Sequence, residues 1–371
     1  MTSSAFIAHL MDPLVDPYFV DQERSFERAF SKLDDRGRES DRDRTCLRNF
    51  KRSSTYALDW SGDQIMAATK DNFLRLYDPE QGEVSSWPGE WMAIQSDPNN
   101  PYICAAVSWN GKFKVFDTRT QGGAGTVYDV DLKKTTPHMK DFLVLCWAPD
   151  SKHIAVNNRQ DQVYILDLRL TGSLRLGASR SMANETNQMV YSTDGSTLWL
   201  ATGGSPGKLT VLPAPTLQNE GGTQLVAHQY TTVAVAADPE GRHIASAGCD
   251  CLVGLWDPKH LVCTRTFGYA TQPVSTLSFN HTGSLLAWGT GGAGSSGGGE
   301  KNLTIVGAST NLYWQEGTAA PVTQVRWHPK RNTLAYSLVS NQLPDERDMR
   351  RMNNRELRES AVVQILNLPN L

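Results

Sequence analysis

Ala227 to Asp257 reads AHQYTTVAVAADPEGRHIASAGCDCLVGLWD, and this stretch decides how the chain folds. Val233 and Val235 alternate with small residues, and Asp238-Pro239-Glu240-Gly241 is a turn. Ile244 to Ala247 is a second apolar run, Gly248-Cys249-Asp250 a tight turn, and Leu252 to Trp256 a third run. Alternation over so few residues, bounded by Pro, Gly and Asp, specifies short antiparallel strands rather than helix.

The order Ala-His, Pro-x-Gly, Ser, Asp and Trp-Asp is similar to a WD40 propeller blade. A single blade is a twisted sheet that needs neighbours on both faces, and polar groups taken inside must be paired. His228, Ser246, Asp250 and Trp256 are expected to form one such hydrogen-bonded chain. Asp250 accepts from the His228 ring, and the Trp256 indole reaches the Ser246 side. His, Ser and Asp together also suggest a hydrolase, but their spacing is that of the fold's own network, so the structural role is expected.

The same punctuation recurs outward from this blade. A strand ends in a polar corner at Trp60, Gln95, Trp147, Tyr191, Ala237, Phe279 and Trp327, at intervals of 35, 52, 44, 46, 42 and 48 residues. That spacing matches the roughly 40–45 residues of a four-stranded blade with loop insertions. Third-strand ends read Tyr77-Asp78, Phe116-Asp117, Leu166-Asp167, Leu212-Pro213, Trp256-Asp257, Val306-Gly307 and Leu366-Asn367. Seven corners and seven ends imply an all-β, seven-bladed WD40 β-propeller over residues 45–371, with blades four and six the weaker ones. The chain stops after the third strand of blade seven, so a strand within about residues 45–50 is expected to complete that sheet and remove its open edge.

Residues 1–44 read as an N-terminal extension. Ser25 to Leu33 is patterned as a short amphipathic helix with Phe26, Phe30 and Leu33 on one face. Asp34 to Arg44 is a mixed-charge linker. Gly289 to Gly299 reads as a flexible Gly/Ser loop, and without a following Lys-Ser/Thr it is no phosphate cradle. Asp345 to Ser360 is a charged insertion at the same place in blade seven. Its Arg347, Arg350, Arg351, Arg355 and Arg358, with Lys133-Lys134, are candidate partner or RNA contacts, although a solvated hairpin extension is the plainer reading.

A net charge of −3 and a pI near 6.3 give no general pull toward nucleic acid or membrane. The six cysteines include no pair of CxxC motifs, so no metal site or cofactor is expected. No run of 18 apolar residues suggests a membrane span. The eight histidines come with no G-x-S-x-G elbow, and no catalytic site or small-molecule substrate is expected.

Five segments carry a more specific resemblance. They are Cys146 to Asp167, Asn184 to Gly204, His243 to Phe267 with Pro273 to Ala287, Arg326 to Ser337 (RWHPKRNTLAYS), and the terminal VVQILNLPN strand. In that order they resemble the THO complex subunit 3 family, the WD40 subunits of the TREX mRNA-export machinery. Blades three to seven carry the likeness well; blades one and two lack the Gly-His and Trp-Asp that family members usually keep. The resemblance implies a nuclear, non-catalytic scaffold that binds other THO/TREX subunits, chiefly a large helical one, with RNA contact weak or indirect. The alternative is a WD40 adaptor of a chromatin or ubiquitin-ligase assembly.

Overall fold

In the computed structural model the described residues are 26, 44–46, 54–120, 126–135, 138–169, 174–218, 222–291, 301–339 and 363–368. They form seven four-stranded antiparallel sheets. The first strands are Thr55–Ser61, Trp91–Ser96, Phe142–Trp147, Thr186–Tyr191, Thr232–Ala237, Val274–Phe279 and Val322–Trp327. Each touches the first strand of the next sheet, and the seventh touches the first, so the sheets close into a ring. The chain is a seven-bladed β-propeller with its first strands around the axis.

The second strand of each blade is buried on both faces, because a neighbouring sheet covers each side. This favours small residues: Ala67, Ala105, Ala155, Ala201, Ala245, Ala287 and Ala335 all lie in second strands with no exposed surface. Larger side chains fill the gaps between blades. Phe113, Phe142 and Trp147 pack between blades two and three, and Phe267 and Trp288 between five and six. Each such side chain contributes about 1.5–3 kcal/mol by burial. The worn blades four and six bury Trp199 and Trp288 completely and form full sheets like the others.

One regularity had no visible code in the sequence. In every blade the ladder between first and second strands slips by one residue after its first pair, at Thr55/Ala57, Trp91/Ala93, Phe142/Val144, Thr186/Gln188, Thr232/Ala234, Val274/Thr276 and Val322/Gln324. A bulge bends a strand and increases its twist. Repeated at the same place, it gives all seven axial strands one shape.

Ring closure uses the strand Arg44–Cys46, which pairs antiparallel with Val363–Asn367 in the register Arg44↔Leu366, Thr45↔Ile365 and Cys46↔Gln364. The strand therefore begins one residue before the expected start, taking Arg44 out of the extension. Residues 47–50 of the expected strand lie outside the described residues. The extension also contributes to the core. Phe26 is helical, only 5% exposed, and sits in the apolar cluster shared by blades one, six and seven with Trp60, Trp314 and Trp327. The other two residues of the expected helical face, Phe30 and Leu33, lie outside the described residues.

The Gly-rich loop starts later than expected. Gly289 and Thr290 belong to the strand Leu285–Thr290 and are buried. A Cβ on Gly289 would stand 2.3 Å from Cγ1 of Val322, so glycine is required by the approach of blade seven, not by loop flexibility. Residues 292–300 and the insertion 345–360, with Arg347, Arg350, Arg351, Arg355 and Arg358, lie outside the described residues.

Candidate functional site

The four residues singled out in the sequence meet where the outer strand of blade four runs into blade five. His228 ends the outer strand Thr223–His228 of blade four, Ser246 lies in Ile244–Gly248, Asp250 in the turn, and Trp256 in Val253–Asp257. His228 Nδ1 lies 2.9 Å from Asp250 Oδ1, and its Nε2 lies 2.9 Å from Ser246 Oγ. The Trp256 indole N–H donates to Ser246 Oγ at 2.9 Å. Asp250 also accepts the amide N–H of Gln229 at 2.9 Å and of Leu252 at 3.2 Å. Burial pushes the His228 ring below its ordinary pKa, against the opposing pull of Asp250. With a neutral ring one assignment satisfies all partners: Nδ1–H donates to Asp250, and Nε2 accepts from the Ser246 hydroxyl.

The backbone is shaped to admit this chain of bonds. A Cβ on Gly248 would come within 2.6 Å of His228 Cγ, and one on Gly254 within 3.1 Å of Trp256 Nε1. Cys251 takes φ 64°, closing the turn that aims Asp250 at the ring.

Ser, His and Asp follow one another here as in a hydrolase triad, yet the hydroxyl cannot meet a substrate. Ser246 is 0% exposed and its oxygen already receives the Trp256 N–H. A triad serine must present its oxygen to a carbonyl carbon. Four polar side chains near the axis are likewise engaged in stitching blades together. Asp59 accepts the amide of Ser96 (2.7 Å), Gln95 that of Trp147 (2.8 Å), Gln188 that of Val235 (3.0 Å) and Ser278 that of Trp327 (3.1 Å). Among the described residues no group of three His, Cys, Asp or Glu side chains is placed to hold a metal ion.

Three comparisons bear on this geometry. The WD domain, G-beta repeat family model matches residues 221–257, the blade-five segment just described. THO complex subunit 3 of Arabidopsis thaliana is 30% identical over 242 residues, which cover 65% of this chain and 69% of that protein. The chain belongs to the THO complex subunit 3 family. WD repeat-containing protein AAC3 of Dictyostelium discoideum is 23% identical over 258 residues, covering 62% of this chain and 52% of that protein. The crystal structure of the Cps50 (Swd1) β-propeller domain of Myceliophteria thermophila matches with a TM-score of 0.63 at 14% identity, over 85% of this chain and 97% of that one. That likeness concerns the fold alone.

The WHPKR segment that carries the resemblance to the THO complex subunit 3 family closes the ring. His328 Nε2 lies 3.1 Å from Asp63 Oδ1, Arg331 pairs with the same carboxylate, and the His328 ring meets Trp60 edge-on at 4.9 Å. The Trp60 indole donates across the same seam to the Arg326 carbonyl at 3.0 Å. Blade one, which lacks the family's Gly-His and Trp-Asp, uses a substitute that the sequence reading missed. The fully buried Arg75 donates to both oxygens of Asp71, at 2.8 and 2.5 Å, and lies 3.4 Å from Glu83. The hydrogen bonds from Arg75 hold the Asp71 carboxyl below its ordinary pKa. The available signal was an arginine in the middle of the apolar strand FLRLYD.

Loops joining second to third strands and fourth to next-first strands emerge on one face of the ring. That face carries aromatic rings covered by cations, with Lys70 over Tyr56 at 5.7 Å and Arg159 over Trp109 at 5.8 Å, and the exposed Tyr230. Lys133 and Lys134 stand on a one-turn helix, Leu132–Thr135, whose Leu132 is buried beneath them. Their side chains are exposed.

Proposed function

We propose that this chain is a non-catalytic adaptor subunit of a nuclear THO/TREX assembly. It docks on a large helical scaffold subunit and supports co-transcriptional packaging and export of mRNA. Membership of the THO complex subunit 3 family carries the reading. The geometry supports it from a second side. The Ser246-His228-Asp250 arrangement is sealed, and Asp59, Gln95, Gln188 and Ser278 near the axis bind neighbouring blades. A rigid ring with variable loops on its faces is suited to holding partners. Aromatic rings paired with cations, as at Tyr56–Lys70 and Trp109–Arg159, are the kind of residue that dominates binding energy at interfaces. Affinity capture of the full chain from nuclear extract, with identification of stable partners, tests the proposal. The expected result is co-purification of other THO subunits at high yield. Stable recovery of chromatin or ubiquitin-ligase subunits without THO components would replace it with the alternative adaptor role.

A further inference from the structure

On the face of the ring opposite the cation-covered aromatics, the first-to-second-strand corners of neighbouring blades are tied together at five of the seven seams. Asn99 donates to the Pro149 carbonyl at 2.8 Å between blades two and three. Thr193 donates to the Asp238 carbonyl at 2.9 Å between four and five, and Arg242 to the Thr282 carbonyl at 2.5 Å between five and six. Asn280 donates to Asn332 at 3.0 Å between six and seven, and Asp63 holds seven to one. Between blades three and four, as between one and two, no side-chain hydrogen bond joins the corner turns among the described residues. A cavity of about 130 Å³ lies between three and four instead, several times what one water needs.

Pro149, Asp150, His153, Tyr191, Asp194 and Pro215 line this cavity. Tyr191 is 4% exposed, yet its hydroxyl has no hydrogen-bond partner among the described residues. At the equivalent corner position, Trp60 and Trp147 donate their indole N–H to the preceding blade's backbone. Leaving a buried hydroxyl unpaired is unfavourable, so a ligand that pairs it gains from doing so. The two carboxylates stand at the same cavity. Asp150 Oδ2 lies 2.6 Å from His153 Nδ1, and the Lys152 amide donates to Asp150 Oδ1 at 2.8 Å. Burial works against ionisation of Asp150, but these hydrogen bonds hold its pKa below the ordinary value. Hydrogen bonds from Ser192 and Ser196 do the same for Asp194. The cavity thus has proline walls, two carboxylates and a phenol oxygen free to accept.

We propose that this cavity between the corners of blades three and four takes a lysine or arginine side chain from a partner protein. The aliphatic stem lies against Pro149 and Pro215, and the cationic head meets Asp150, Asp194 and the Tyr191 oxygen. An acidic side chain is repelled by both carboxylates, and a neutral carbonyl leaves them uncompensated. Only the choice of a protein as the source rests on the adaptor reading.

Saturation-transfer NMR on the full chain, titrated with the blocked tripeptides Gly-Arg-Gly, Gly-Lys-Gly and Gly-Glu-Gly, tests it. The basic peptides are expected to saturate, to weaken with added salt, and to outcompete the acidic one. Tyr191→Phe should weaken them about tenfold, the loss of one hydrogen bond to a charged group, while leaving the melting temperature unchanged or raised. Asp150→Asn with Asp194→Asn keeps the turn acceptors and should abolish binding. Absence of saturation by both basic peptides, equal binding of the acidic one, or unchanged affinity in Tyr191→Phe would overturn the proposal. None of these outcomes alters which subunits co-purify with the chain, so the adaptor reading stands or falls separately.

Discussion

Asp250→Ala isolates the polar chain of blade five. The carboxylate accepts from His228 Nδ1 and from the amides of Gln229 and Leu252, so the substitution leaves three donors without it. They are not equivalent. The His228 ring is buried, and stranding its N–H costs about 1–3 kcal/mol. The two amides belong to surface turns, where water replaces the carboxylate at little cost. The total is about 2 kcal/mol, read as a lower urea midpoint at unchanged slope. Asp250→Asn keeps one acceptor oxygen and should lose about half as much by the same reasoning. The chain has a pH signature as well. His228 is depressed in the folded state by burial, so the unfolded chain binds the proton more readily. The stability it contributes is complete above the unfolded value of about 6.5 and falls as pH drops below it. Removing Asp250 removes an attraction that raises the ring's pKa, so the loss in mild acid should extend to lower pH in Asp250→Ala. A stability change under about 0.5 kcal/mol would refute the reasoning, as would a loss of partner binding with stability intact.

Three further outcomes are measurable by the same unfolding assay. Phe26→Ala should cost about 3 kcal/mol, because it empties an aromatic site shared by blades one, six and seven. No effect would place Phe26 outside the core. Gly289→Ala should cost about 1–3 kcal/mol by overpacking against Val322, and the added change Val322→Ala should recover part of it. Asp63→Ala should cost about 1–3 kcal/mol although its carboxylate is 76% exposed, because that carboxylate accepts from the buried His328 ring.

Much of this fold was legible because its punctuation is local. The corner after each first strand needs Pro, Gly, Asp or Asn for its turn, so Asp97-Pro98, Asp238-Pro239 and Asn280 to Gly283 mark the blades whatever the strands contain. The blade-five network was legible because each member has a fixed offset from such a turn. Other features leave no local trace. A bulge asks only that one residue be tolerated, and Tyr56, Asn187 and Ser275 at that position share no chemistry. Gly289 sits beside a Gly-rich run, and its packing reason is Val322, 33 residues away. Phe26 was legible as part of an apolar helical face, but its place in the core was not, because its burial depends on blades one, six and seven closing around it. The cavity at Tyr191 arises from a latch absent between two corners, which no single segment encodes.

The central claim is tested most directly by the native size at which the full chain migrates in nuclear extract, before and after ribonuclease treatment. A WD40 adaptor of the THO complex subunit 3 family should elute with the other THO subunits in one large species whose size survives the nuclease. Elution at the 41.0 kDa of the single chain would contradict it. So would a large species free of THO subunits, or one that collapses when the RNA is removed.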